Sequence, residues 1–157
     1  MKLSFVFLLF IGMLNISAQA AGADEETNRL GNKGLELIQK GNWDEGLALM
    51  KKATTAAPED ASWHMNYGSM LMMRAQKSGG EEVTRLCKES EAELKKAVGL
   101  LTGEKDNILR AQCYFLIGDI YFYPYQKPVE AKPYYEKALK EYPGHGGAMQ
   151  AMARYEA

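Results

Sequence analysis

Residues 32–58 read NKGLELIQKGNWDEGLALMKKATTAAP. Leu30, Gly34, Leu37 and Ile38 recur at the spacing that places small and apolar residues on one face of an α-helix. Gly41 ends that helix. Asp44 is expected to cap the next, with Trp43 stapled onto Ala48. Pro58 bars continuation because it lacks the N–H a helix needs. Upstream, Asp24 is a candidate cap, and Glu25 and Glu26 suit the positive end of the helix dipole. The stretch therefore predicts a hairpin of two short helices.

The pattern recurs. NYGSMLMMRAQ…SEAELKKAVGLLT (66–102) and LIGDIYFYPYQKPVEAKPYYEKALKEYP (116–143) align with the first stretch. Gly34, Gly68 and Gly118 anchor the first helices, and Ala53, Ala97 and Ala138 lie late in the second. Small residues at matched places are what close helix–helix approach requires.

This arrangement resembles the tetratricopeptide repeat, a 34-residue helix–turn–helix unit. Residues 27–60 carry the signature at Gly34, Gly41, Trp43, Gly46, Met50, Ala53 and Pro58, with Gly46 where Ala is usual. A third unit, within 107–144, carries Gly118, Tyr121, Ala131, Tyr135, Ala138 and Pro143, and its turn YPYQKPVEA is one residue longer than usual. The middle unit, 61–106, has Tyr67, Gly68, Leu71, Ser90, Leu94 and Ala97, with about ten extra residues between its halves. Val83, Leu86, Ser90, Leu94, Ala97 and Leu101 form one uninterrupted stripe. Helices over 61–77 and 81–101 should thus build an elongated, protruding hairpin around Ser78-Gly79-Gly80. Residues 145–157 are expected to form a capping helix from about Ala148, with Met149, Met152 and Ala153 covering the last apolar face. The implied fold is all-α: a right-handed α-solenoid of three hairpins plus the cap.

Ahead of these units, residues 1–20 carry one charge, Lys2, then an apolar run from Leu3 to Leu14, then Ala18-Gln19-Ala20. That is the pattern of a secretory signal peptide, expected to be cleaved after Ala20, with 21–26 a lead-in. The expected destination is the bacterial periplasm or secretion, with no stable membrane span after cleavage. Losing Lys2 leaves eighteen basic against twenty acidic side chains. With no basic stripe, nucleic acid is not the expected partner.

The chain has two histidines, His64 and His145, no CxxC and no glycine-rich phosphate loop. No catalytic residue, metal site or cofactor is assigned, and the expectation is a non-enzymatic protein. Cys87 and Cys113 fall about 12 Å out of register on antiparallel helices at 1.5 Å per residue. A disulfide needs Cα atoms within about 7 Å, so two free, partly buried thiols are expected.

In tetratricopeptide proteins the first helix of each hairpin lines a ligand-binding groove. The resemblance implies a groove from Leu35 in the first unit, Met65, Ser69, Met72 and Met73 in the second, and Phe115, Asp119 and Phe122 in the third. Asn28, Gly31, Ser62 and Gln112 also occupy groove positions. Members that clamp a C-terminal carboxylate use Lys, Arg and Asn at places matching Gly31, Leu35, Asn66, Gln112 and Leu116, and only Asn66 agrees. The expected ligand is instead an apolar or amphipathic segment of a partner protein, since methionine adapts to apolar surfaces and aromatics supply contact area. Three intramolecular or self occupants stay open: the cap, residues 21–27, or a second copy in a homo-oligomer. The alternative functions are a soft-metal (copper) carrier using the methionines, His64 and Cys87, or an apolar small-ligand carrier. Against the metal, Met70 points about 140° from Met65, and His64 faces the hairpin's packing side.

Overall fold

The computed structural model describes residues 25–156. The expected signal peptide, its cleavage site and Asp24 lie outside the described residues. Seven α-helices follow one another: α1 (Glu25–Gln39), α2 (Trp43–Ala56), α3 (Ala61–Ala75), α4 (Glu81–Leu100), α5 (Asn107–Phe122), α6 (Pro128–Glu141) and α7 (Gly146–Met152). Short 3-10 turns span Glu104–Asp106 and Ala153–Tyr155. There is no strand among the described residues. α1 and α2, α3 and α4, and α5 and α6 pack as hairpins; α2 then rests on α3, α4 on α5, and α7 on α6. This is the expected all-α solenoid with a terminal cap.

The hairpins close where small residues meet. A Cβ on Gly34 would stand 2.7 Å from the Gly46 carbonyl oxygen, and one on Gly46 would stand 2.7 Å from the Gly34 oxygen. The two backbones touch there, so neither position has room for a side chain. In the second hairpin Ser90 takes the place of Gly46, and its hydroxyl donates to the Gly68 carbonyl at 2.6 Å. In the third hairpin the ring of Tyr135 fills the space over Gly118.

Two local expectations need correction. α2 starts at Trp43 with Asn42 at its N-cap, so Asp44 lies inside the first turn. Trp43 does not staple onto Ala48, which is exposed; its ring lies 4.9 Å beneath the Lys77 ammonium. The cap at α3 comes from Asp60, whose carboxylate accepts from the Ser62 and Trp63 amides.

The middle hairpin is elongated in one helix only. α3 and α1 are both 15 residues long, whereas α4 has 20 against 14 in α2 and in α6. Taking Gly46, Ser90 and Ala131 as the matched points, the three second helices end at equivalent places, and α4 alone begins earlier. The added turns do not simply protrude. Leu86 is buried, and Val83 packs against the main core. The end of α5 and the long α5–α6 turn reach α4 beyond the added turns. Tyr121 and Tyr125 donate their hydroxyls to Glu91 of α4 at 2.9 and 3.3 Å. Burial pushes both phenols above the usual tyrosine range.

α3 is apolar nearly all round, as befits a helix enclosed by its neighbours. Trp63 faces α1, where its ring lies directly over Gly31. Gly68 faces α4 across Ser90 and Leu94. His64 is buried on that same side. Its Nδ1 lies 2.5 Å from Glu93 Oε2, and its Nε2 lies 3.0 Å from the Pro58 carbonyl oxygen. A large apolar residue is usual at this place in the resembled repeat; here the imidazole links α4 to the loop ahead of α3.

Candidate functional site

The face built by α1, α3 and α5 carries the eight expected groove residues, and the structure divides them. Leu35 and Met73 are half-buried at the edges, packed against a core that includes Met65 and Met72. Met65 is 7% exposed and Met72 9%, so they form a floor more than a contact surface. Ser69 is buried between them, its hydroxyl donating to the Met65 carbonyl at 2.8 Å. The reason is local geometry: Met65 and Met72 sit one above the other on α3, and α5 touches α3 directly.

The third-unit residues form a separate group, covered by the chain's own C-terminal segment. Phe115 lies between the Tyr135 ring, 6.1 Å away by centroids, and the His145 ring at 4.9 Å. Gly147 approaches so closely that a Cβ there would stand 2.8 Å from the Phe115 ring. Phe122 meets Tyr155 edge-on at 6.2 Å, and the Arg154 guanidinium sits 5.3 Å over its ring. Gln112 accepts from His145 through its side-chain oxygen at 3.1 Å. Asp119 is buried beneath, where its Oδ1 accepts the Tyr135 hydroxyl at 2.9 Å. Burial raises the Asp119 carboxyl to about 6, with the Tyr135 hydrogen bond and the Arg154 charge opposing.

The cap makes this contact differently from the sequence expectation. Ala148 and Ala151 are buried, whereas Met149 is exposed, Met152 half-buried and Ala153 exposed. Ala148 packs with Ala111 and Ala138, and Ala151 with Ala131 and Tyr135. Because Phe115 and Tyr135 already fill the space, the fully buried positions of α7 are small, and Met152 and Tyr155 pack at the margin of the same cluster. His145, Gly147, Arg154 and Tyr155, none of them singled out from sequence, therefore define the rim of the third-unit face. The glycines of GHGGAM were the available signal, marking where chain must pass close to a ring.

At the positions that match a carboxylate clamp, Gly31 is covered by Trp63, Leu116 is buried and Gln112 is engaged with His145. No cation stands at any of them. Among the described residues no group of three or more His, Cys, Asp or Glu side chains is placed to hold a metal ion. Both ring nitrogens of His64 already have partners on the side facing α4. Cys87 and Cys113 are both buried free thiols. Burial raises Cys87 to about 11 and Cys113 to about 12. A concavity of about 440 Å³ lies away from the groove, at the α1–α2 turn, lined by Trp43, Asp44, Glu45 and Arg74 among others. No helix among the described residues is long and apolar enough to cross a membrane.

No protein-family model matches the sequence, and comparison with curated proteins finds no match. Among solved structures, the chain is similar to the first TPR domain of Spaghetti (RPAP3), determined bound to the HSP90 peptide SRMEEVD. The TM-score is 0.62 at 22% identity, over 82% of this chain and 90% of that one. The fold of this chain is thus that of a tetratricopeptide-like α-solenoid.

Proposed function

We propose that this protein is a non-enzymatic adaptor that binds an apolar or amphipathic segment of a partner protein. Binding uses the half of the face between α1 and α3, where Leu35 and Met73 flank the Met65–Ser69–Met72 floor. The observation that carries the reading is this methionine-floored strip, left uncovered by the cap segment that lies over the third unit. The solved neighbour of the same fold was captured with a peptide, which supports protein recognition as the activity. The missing cations argue for an apolar segment in place of a terminal carboxylate. The leader pattern in residues 1–20 supports export, with work in a bacterial envelope assembly as the setting.

The test is crosslinking in the native cell followed by recovery of partners on wild type and on Leu35→Glu/Met73→Glu. Both positions are half-buried, so the double variant can keep its fold, to be checked by circular dichroism. Recovery of the captured protein should fall at least tenfold. Equal recovery by a folded double variant refutes the assignment of the face.

A further inference from the structure

The segment from His145 to Tyr155 does two things at once: it ends the array and covers third-unit positions of the proposed binding face. The fully buried apolar groups of α7 are two alanine methyls; Met149 is exposed, and Met152 packs half-buried against the Ala131–Tyr135–Ala151 cluster. The remaining contacts are made by rings and loops: the Gly147 backbone and the His145 ring on Phe115, Arg154 over Phe122 and Tyr123, the Tyr155 ring against Phe122 and Tyr135, and the Tyr155 hydroxyl donating to the Pro128 carbonyl at 2.7 Å.

One side chain starts this helix and ties it to α5. His145 Nδ1 accepts the Ala148 amide at 3.1 Å and so serves as the N-cap. With Nδ1 an acceptor, the ring proton is on Nε2, which donates to Gln112 Oε1. The Ala148 bond requires the neutral ring, whereas the Gln112 bond survives protonation because Nε2 keeps its proton. A second proton on Nδ1 removes the acceptor and sets two N–H groups against each other. It also places a positive charge at the positive end of a helix.

From this geometry we propose that the C-terminal segment is a pH-sensitive latch: protonation of His145 releases α7 and uncovers Phe115 and Phe122 as additional binding surface. The groups facing His145 are Gln112 and Phe115 of α5, the Tyr142 carbonyl at the end of α6, and the Ala148 and Met149 amides of its own helix. None is charged. Burial lowers the affinity of the ring for a proton, and no charged side chain contributes to that shift. The sign follows. A histidine held below its ordinary range stabilises the closed form at neutral pH, and that stability is lost as pH falls below its unfolded value of about 6.5.

The latch deepens the adaptor reading, since it regulates the same face, but its test reads the cap alone. Amide hydrogen exchange of Ala148 to Met152 is measured at pH 7.5 and pH 5 on the full chain. Rates are corrected for intrinsic exchange and referred to α3 amides. Protection in the wild type should fall about fivefold at pH 5, the factor for losing an ordinary N-cap. Asp119 also titrates in this window, so the control is His145→Asn, which keeps a cap acceptor and leaves Asp119 in place. That variant should hold the same protection at both pH values, and His145→Ala should be weakly protected at both. A wild-type fall no larger than that of His145→Asn overturns the latch and leaves the adaptor reading standing.

Discussion

Replacing His64 with leucine restores the kind of residue usual at that place in the resembled repeat, and it should destabilise this protein. The imidazole supplies two bonds, to the Glu93 carboxylate at 2.5 Å and to the Pro58 carbonyl at 3.0 Å. A hydrogen bond to a charged group contributes roughly 1.5–3 kcal/mol, and a neutral one about 1. Two features reduce the loss. The Glu93 side chain is 22% exposed and can turn toward water, and Pro58 is itself exposed. The leucine adds apolar burial of about 1 kcal/mol. The balance is a loss of about 2 kcal/mol, or a fall of about 6 °C in Tm for a chain of this size. Urea unfolding followed by circular dichroism and tryptophan fluorescence measures it. His64→Leu/Glu93→Met removes the stranded carboxylate as well. It should return to within about 0.5 kcal/mol of wild type, because replacing both partners of a polar pair by apolar groups is close to neutral. A fully stable His64→Leu, or a double variant whose loss is the sum of the singles, would show that the pair does not join α4 to the Pro58 loop.

Two further outcomes test the buried groups. Asp119 is raised to about 6 from an ordinary value near 4. Its contribution to stability is thus fully present at about pH 4 and lost as pH rises through 6. Asp119→Asn, which can still accept the Tyr135 hydroxyl, should be more stable than wild type by about 2 kcal/mol at pH 7.5 and equal to it at pH 4; equal stability at both would refute the buried placement. Cys87 and Cys113 should both resist a thiol reagent in the native state and react as two thiols once unfolded, since the thiolate is the attacking form and burial disfavours it.

The helical pattern in the sequence carried most of the architecture. The stripe Leu86, Ser90, Leu94, Ala97, Leu101 is buried as its periodicity implies, and α4 starts at Glu81. Periodicity is a property of one helix, so it locates faces well. It says less about how many neighbours a face has. Met65 and Met72 read as groove residues because they share a side of α3, but at 7% and 9% exposure they form its floor. The partner of His64 is not legible for the same reason, since Glu93 stands 29 positions away on another helix. The cap shows a third limit. Met149 and Met152 both read as packing residues by hydrophobicity; Met152 does pack against the Tyr135 cluster, whereas Met149 is exposed and Ala148 and Ala151 take the buried places. Nothing in the third-unit pattern shows that Tyr121 of α5 and Tyr125 of the following turn reach back to Glu91.

The all-round apolar surface of α3 bears on how the chain comes together. A repeat array can in principle add hairpins one at a time, each finished before the next docks. Here α3 has Trp63 needing α1 and His64 and Gly68 needing α4, and the helix also rests on α2 and touches α5. Its sequence is satisfied only when five helices are present. The central helix therefore ties α1 to α5, residues 25–122, into one cooperative unit, to which α6 is joined mainly through α5.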